Sequence, residues 1–136
     1  MKAEELMVGD WIQIVPDAPT MPNECHRVDW IRTGEIGLDN RRIVTYPYIQ
    51  PIPLTEEILE KNGFVKWEHG YLWKERIGIG GQTTSASSPI EIIVYEDGHS
   101  FVSNPHDGKE YQGALEYVHE LQHALRLCKI GKTIEL

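Results

Sequence analysis

Cysteine, basic charge and long apolar runs are all scarce in this sequence, and each shortage excludes a class of protein. The two cysteines, Cys25 and Cys128, stand near opposite ends of 136 residues and form no Cys-x-x-Cys pair. A disulfide framework is therefore excluded, and both thiols are expected to be buried and reduced. Basic residues number 13 against 21 acidic ones, a formal charge of -8. Phosphate-backbone binding draws most of its energy from counterion release by Lys and Arg, so this balance argues against nucleic acid and suits a basic protein partner. Arg41-Arg42 and Lys129 with Lys132 are too small to form polybasic patches. No apolar run approaches a membrane span, and Met1 to Leu6 place Glu4 and Glu5 where a secretory signal needs its apolar segment. The expectation is a cytoplasmic protein with no membrane partner.

What is present describes a folding chain. Hydrophobic residues make up 40% and charged residues 25%, which matches globular composition and excludes disorder. A chain of this size buries roughly two thirds of its unfolded surface, enough for a core without metal or cofactor. No repeat of solenoid length occurs.

Short apolar runs separated by turn residues occupy the first third. Trp11 to Val15, Arg27 to Ile31, Ile36 to Leu38 and Arg42 to Thr45 read as strands, with a Pro-rich loop from Pro16 to Pro22. Four or five such strands predict an SH3-like small β-barrel or curled sheet over 1–46. Pro47, Pro51 and Pro53 remove backbone donors and predict a stiff connector over 47–53. An α+β domain over 54–136 follows, with the possibility of one continuous core. Its first element is a short helix over Glu56 to Lys61, capped by Thr55, started by acids and stopped by Asn62-Gly63. Phe64 to Trp67 and Tyr71 to Lys74 predict a hairpin with Trp67 and Trp73 in its core. The polar run Gln82 to Pro89 predicts an exposed loop. Ile90 to Glu96 and His99 to Ser103 flank Asp97-Gly98, and a two-residue turn there sets Val94 against Phe101 and Ile93 against Val102. After a polar loop, Ala114, Val118, Leu121, Leu125 and Cys128 repeat at helical steps up to a stop at Gly131, and Thr133 to Leu136 predict a last strand.

One motif points to chemistry. His119-Glu120-Leu121-Gln122-His123 matches His-Glu-x-x-His, in which two His one helical turn apart bind zinc and the Glu acts as general base. Three features oppose a hydrolase. The helical wheel puts His119 and His123 opposite the apolar stripe; a third ligand is missing, since Arg126 and Lys129 occupy the positions where a metzincin has Gly and His, Glu135 is the only carboxylate downstream and His99 or His106 would be an unusual upstream ligand; and 136 residues leave little room for a peptide cleft. No catalytic, cofactor or metal residue is therefore assigned, with His119, His123 and Glu120 kept as the zinc alternative. Gly78-Ile79-Gly80-Gly81 lacks phosphate-loop spacing, and Cys25-His26, as strand neighbours, are expected to point apart as a buried thiol and an exposed ring.

Glu5 to Ile12, Ile52 to Phe64 and Tyr117 to His123 together resemble, in the same order, a family of small uncharacterised proteins of Bacteroides-type bacteria and their phages or mobile elements. In that family the last block reads Tyr-Val-His-Gln-Leu-Gln-Asn, so the resemblance implies that Glu120 and His123 complete the zinc motif incidentally, and it implies no activity. The function expected is a non-enzymatic binding or accessory module acting through a protein partner, with the aromatics around Tyr46 and Tyr48 at its surface. The alternatives are a zinc-dependent hydrolase and a single-stranded nucleic-acid binder.

Overall fold

The computed structural model describes residues 1, 3–15, 23–75 and 89–136. The Pro16 to Pro22 loop, the Gly78 to Gly81 segment and nearly all of the Gln82 to Pro89 loop lie outside the described residues. The fold is α+β: two antiparallel five-stranded sheets and one main C-terminal helix. The chain divides into two units, one of residues 1–53 with 117–119, the other of 54–116 with 120–136.

The first unit is a sheet in the order β4-β3-β2-β1-β5. Its strands are β1 (Trp11–Ile14), β2 (Glu24–Arg32), β3 (Glu35–Leu38), β4 (Ile43–Thr45) and β5 (Ile49–Gln50). Alternation along β1 buries Ile12 and Ile14, which join Leu6, Val28, Ile36, Leu38, Val44 and Ile49 in the core. Part of the segment 47–53, expected as a connector, takes regular structure. Tyr46–Tyr48 form a 3-10 turn with Pro47 at its start, where a missing N–H costs nothing, and Ile49–Gln50 then pair with Ile14 and Gln13 of β1. Proline spacing concealed this strand because it is only two residues long.

A bulge in β2 decides which side chains face outward. Val28 pairs with Leu38 while Trp30 pairs with Gly37, so two residues of β2 oppose one of β3 at Asp29. Leu38 and Gly37 are neighbours and face opposite ways. Trp30 is thereby turned away from the face of Val28, and Ile31, opposite Ile36, packs on the core instead.

The second unit opens with α1 (Glu56–Lys61), its first turn capped by Thr55 Oγ1 accepting from Ile58 N at 3.3 Å. Its sheet runs β10-β9-β8-β7-β6. The strands are β6 (Val65–Trp67), β7 (Gly70–Glu75), β8 (Ile90–Tyr95), β9 (His99–Asn104) and β10 (Lys109–Ala114). Ile90, Ile92, Val94, Ser100, Val102 and Asn104 are buried on one face. The β8–β9 register differs by one from expectation: Val94 faces Ser100 and Ile93 faces Phe101. Glu96 to Gly98 form a three-residue loop with Gly98 at φ 86, the left-handed position that closes such a loop, and Asp97 Oδ1 accepts from His99 N. Trp67, expected in the core, is exposed and meets His69 and Tyr95 edge-on.

The main helix, α2, spans Val118–Leu127 rather than Ala114 to Cys128, because Gly113 and Ala114 pair with Ser100 and His99 as the end of β10. It ends before Gly131. Lys129 takes the left-handed conformation at φ 55, Ile130 N donates to Leu125 O and Lys129 N to Arg126 O, the paired bonds of a Schellman cap. No strand forms at Thr133 to Leu136. The Asn62 side chain stands in for a strand partner there, donating from Nδ2 to Glu135 O and accepting at Oδ1 from Glu135 N, both at 2.7 Å.

Candidate interaction surface

On the outer face of β2–β4 the cross-strand pairs Trp30–Gly37 and Gly37–Ile43 form one row, and Arg32–Glu35 and Glu35–Thr45 form the next. Gly37 is what lets the indole lie flat: a Cβ there would come 2.0 Å from Trp30 Nε1. The Arg32 guanidinium stacks on the opposite side, 4.5 Å from the ring centroid, and pairs with Glu35 at 3.6 Å. Ile43, 59% exposed, extends the row. Of the two tyrosines expected at the surface, Tyr48 is exposed, whereas Tyr46 packs on the core and donates its hydroxyl to Arg32 O at 2.7 Å. Tyr46 therefore fixes the end of β2, and Tyr48 faces solvent. Trp30, Arg32 and Ile43 escape sequence reasoning, since only the bulge turns Trp30 outward.

The Cys25-His26 pair is arranged opposite to expectation. Cys25 is the exposed residue and His26 is half-buried. The imidazole is flanked by Asp39 at 3.0 Å and Glu24 at 3.3 Å, and Glu24 also pairs with Arg42 at 3.1 Å. Partial shielding pushes the Cys25 thiol above its ordinary pKa. A ring committed to carboxylates beside a thiol held protonated is not a nucleophile–base pair.

The His-Glu-x-x-His motif falls at the start of α2. His119 is buried instead of facing solvent, its ring stacked on Tyr117 with centroids 5.9 Å apart, because residues preceding the first turn cover that side of the helix. His123 is half-buried. Glu120 Oε1 accepts from Glu116 N at 3.1 Å, so the carboxylate serves the helix start. Among the described residues no group of three His, Cys, Asp or Glu stands close enough to hold a metal ion. No helix among them is long and apolar enough to cross a membrane. Comparison with protein-family models, with curated proteins and with solved structures gives no match for this chain.

Proposed function

We propose that the chain is a non-enzymatic protein-interaction module, of phage or mobile-element origin, whose first unit closes as an SH3-like small barrel and docks a partner on the Trp30–Ile43–Tyr48 surface. The closure is supported by the strand order, by β2 pairing with both β1 and β3 across its bulge, and by the 3-10 turn that leads into β5 against β1. The observation that carries the function is the outward row itself. A bulge and a glycine turn the half-buried Trp30 indole to the outer face, where Ile43 is exposed on the same row, and Tyr48 is exposed at the turn before β5. Large rings on a rigid strand surface give contact area at low entropic cost, and the charge of -8 favours a basic partner. The test is affinity capture from source cells with the parent and with the double variant I43D/Y48A. A protein retained by the parent and lost by the variant, with folding unchanged by circular dichroism, supports the reading. Identical capture profiles, together with hydrolytic turnover by the purified chain, overturn it.

A further inference from the structure

The second unit carries a concavity that the interaction surface does not use. Its volume is about 510 Å³, and its walls include Trp73, Glu75, Asn104, His106, Lys129 and Lys132. It lies at the end of the sheet where Glu75 of β7 pairs with Ile90 of β8.

The wall that bears the lysines is held in place from both sides. Asn104, 3% exposed, donates Nδ2 to Cys128 O at 2.9 Å and to Lys129 O at 3.3 Å, and so ties the end of β9 to the end of α2. Further along, Asn62 grips Glu135. The intervening residues carry two ammonium groups that close no ion pair among the described residues. Lys132 lies over the Trp73 ring, 4.7 Å from its centroid, and burial holds its pKa below the ordinary lysine value. Lys129 occupies the left-handed cap position, where glycine is the default and a Cβ is strained. The half-buried Lys132 ammonium feels the Glu75 carboxylate of the same concavity, Lys129 closes no ion pair among the described residues, and Trp73 and Ile90 supply an apolar wall for a planar body.

The geometry points to a binding site for a small planar organic carboxylate, its oxygens met by Lys129 and Lys132 and its body resting against Trp73 and Ile90. Glu75 and Asp107 also line the concavity, so among the described lining residues two carboxylates balance two ammonium groups, which suits a singly charged ligand over a polyphosphate. The experiment is isothermal titration of the full chain at low salt with benzoate, its neutral counterpart benzamide, and inorganic phosphate. Saturable binding of benzoate at one per chain is expected, with benzamide and phosphate each weaker by about tenfold, the loss of one charge or one stacking contact. Lys132→Met weakens benzoate by a similar factor. Lys129→Gly separates binding from folding, because relief of the backbone raises the melting temperature while loss of the ammonium weakens benzoate. The inference is overturned by the absence of saturable benzoate binding, by benzamide binding as tightly as benzoate, by phosphate binding as tightly as benzoate, or by parental affinity in the Lys129→Gly variant.

Discussion

Asn62→Ala removes a side chain that, with Lys61 donating to Leu136 O, ties the end of α1 to residues more than seventy positions later in the sequence. The Asn62 amide makes three short bonds, Nδ2 to Ile58 O at 2.8 Å and the reciprocal pair with Glu135 at 2.7 Å, in a side chain that is 8% exposed. At about 1 kcal/mol net per bond the sum is about 3 kcal/mol. Glu135 is exposed, so water can take over part of its backbone bonding, which brings the expected loss to about 2 kcal/mol. Urea denaturation measures it as a lowered midpoint at unchanged slope. Hydrogen exchange at the Glu135 amide locates it: that amide accelerates in the variant beyond the global change. A control chain ending at Lys132 lacks the Glu135 partner and keeps only the bond to Ile58 O, so there the substitution costs about 1 kcal/mol or less. A full-length loss below about 0.5 kcal/mol, the range of indifferent surface changes, refutes the role given to Asn62. So does an equal loss in the shortened control.

Three further outcomes are expected. Gly37→Ala forces the Trp30 indole off the strand and destabilises the fold by about 1–3 kcal/mol, read by denaturation and by a shift in tryptophan emission; an unchanged spectrum shows that the ring does not lie on Gly37. Burial, the bond to Glu60 Oε1 at 3.1 Å and the nearby Glu56 charge push the Tyr71 phenol from its ordinary value near 10 up to about 12. Its neutral form is favoured in the folded state, so its stabilising contribution is complete below pH 10 and is lost as the pH rises through about 12. Ultraviolet titration of phenolate shows Tyr71 ionising last, and Glu60→Gln brings it down; a Tyr71→Phe variant with an unaltered titration curve refutes the assignment. Aromatic disulfide reagents modify Cys25 slowly in the native protein, because its thiol is held protonated, and reach the fully buried Cys128 only after unfolding. Two fast thiols in the native protein contradict this.

Local chemistry made several elements legible from sequence alone. Thr55, Glu56 and Glu57 start a helix wherever they stand, since the hydroxyl and the charges satisfy the helix's own orphan donors and dipole, and α1 forms over the residues so predicted. The apolar runs at Trp11, Ile36 and Ile43 are short and bounded by turn residues, and each became a strand for that reason. Two edge strands, β5 and β10, carried no such signal. β10 buries too little of Lys109 to Ala114 to need an apolar pattern, and β5 is too short to show one. The candidate site was less legible still. Tyr48 could be read as exposed, but Tyr46 is spent on a bond to Arg32 O that only the fold brings within reach. The outward turn of Trp30 depends on a bulge set by the pairing of β2 with β3, and the Lys132–Trp73 stack depends on a tail anchored by Asn62 and Asn104. The zinc motif inverts the case: its spacing is complete in sequence, yet tertiary structure buries His119 and commits Glu120 to a backbone amide. Sequence by itself thus determined the α+β class, the capped helix and most strands, because those follow from side chains acting within a few residues. Tertiary structure alone decided which aromatics face outward and which lysines share a wall, because register, bulges and long-range side-chain bonds join residues whose separation in sequence carries no local trace.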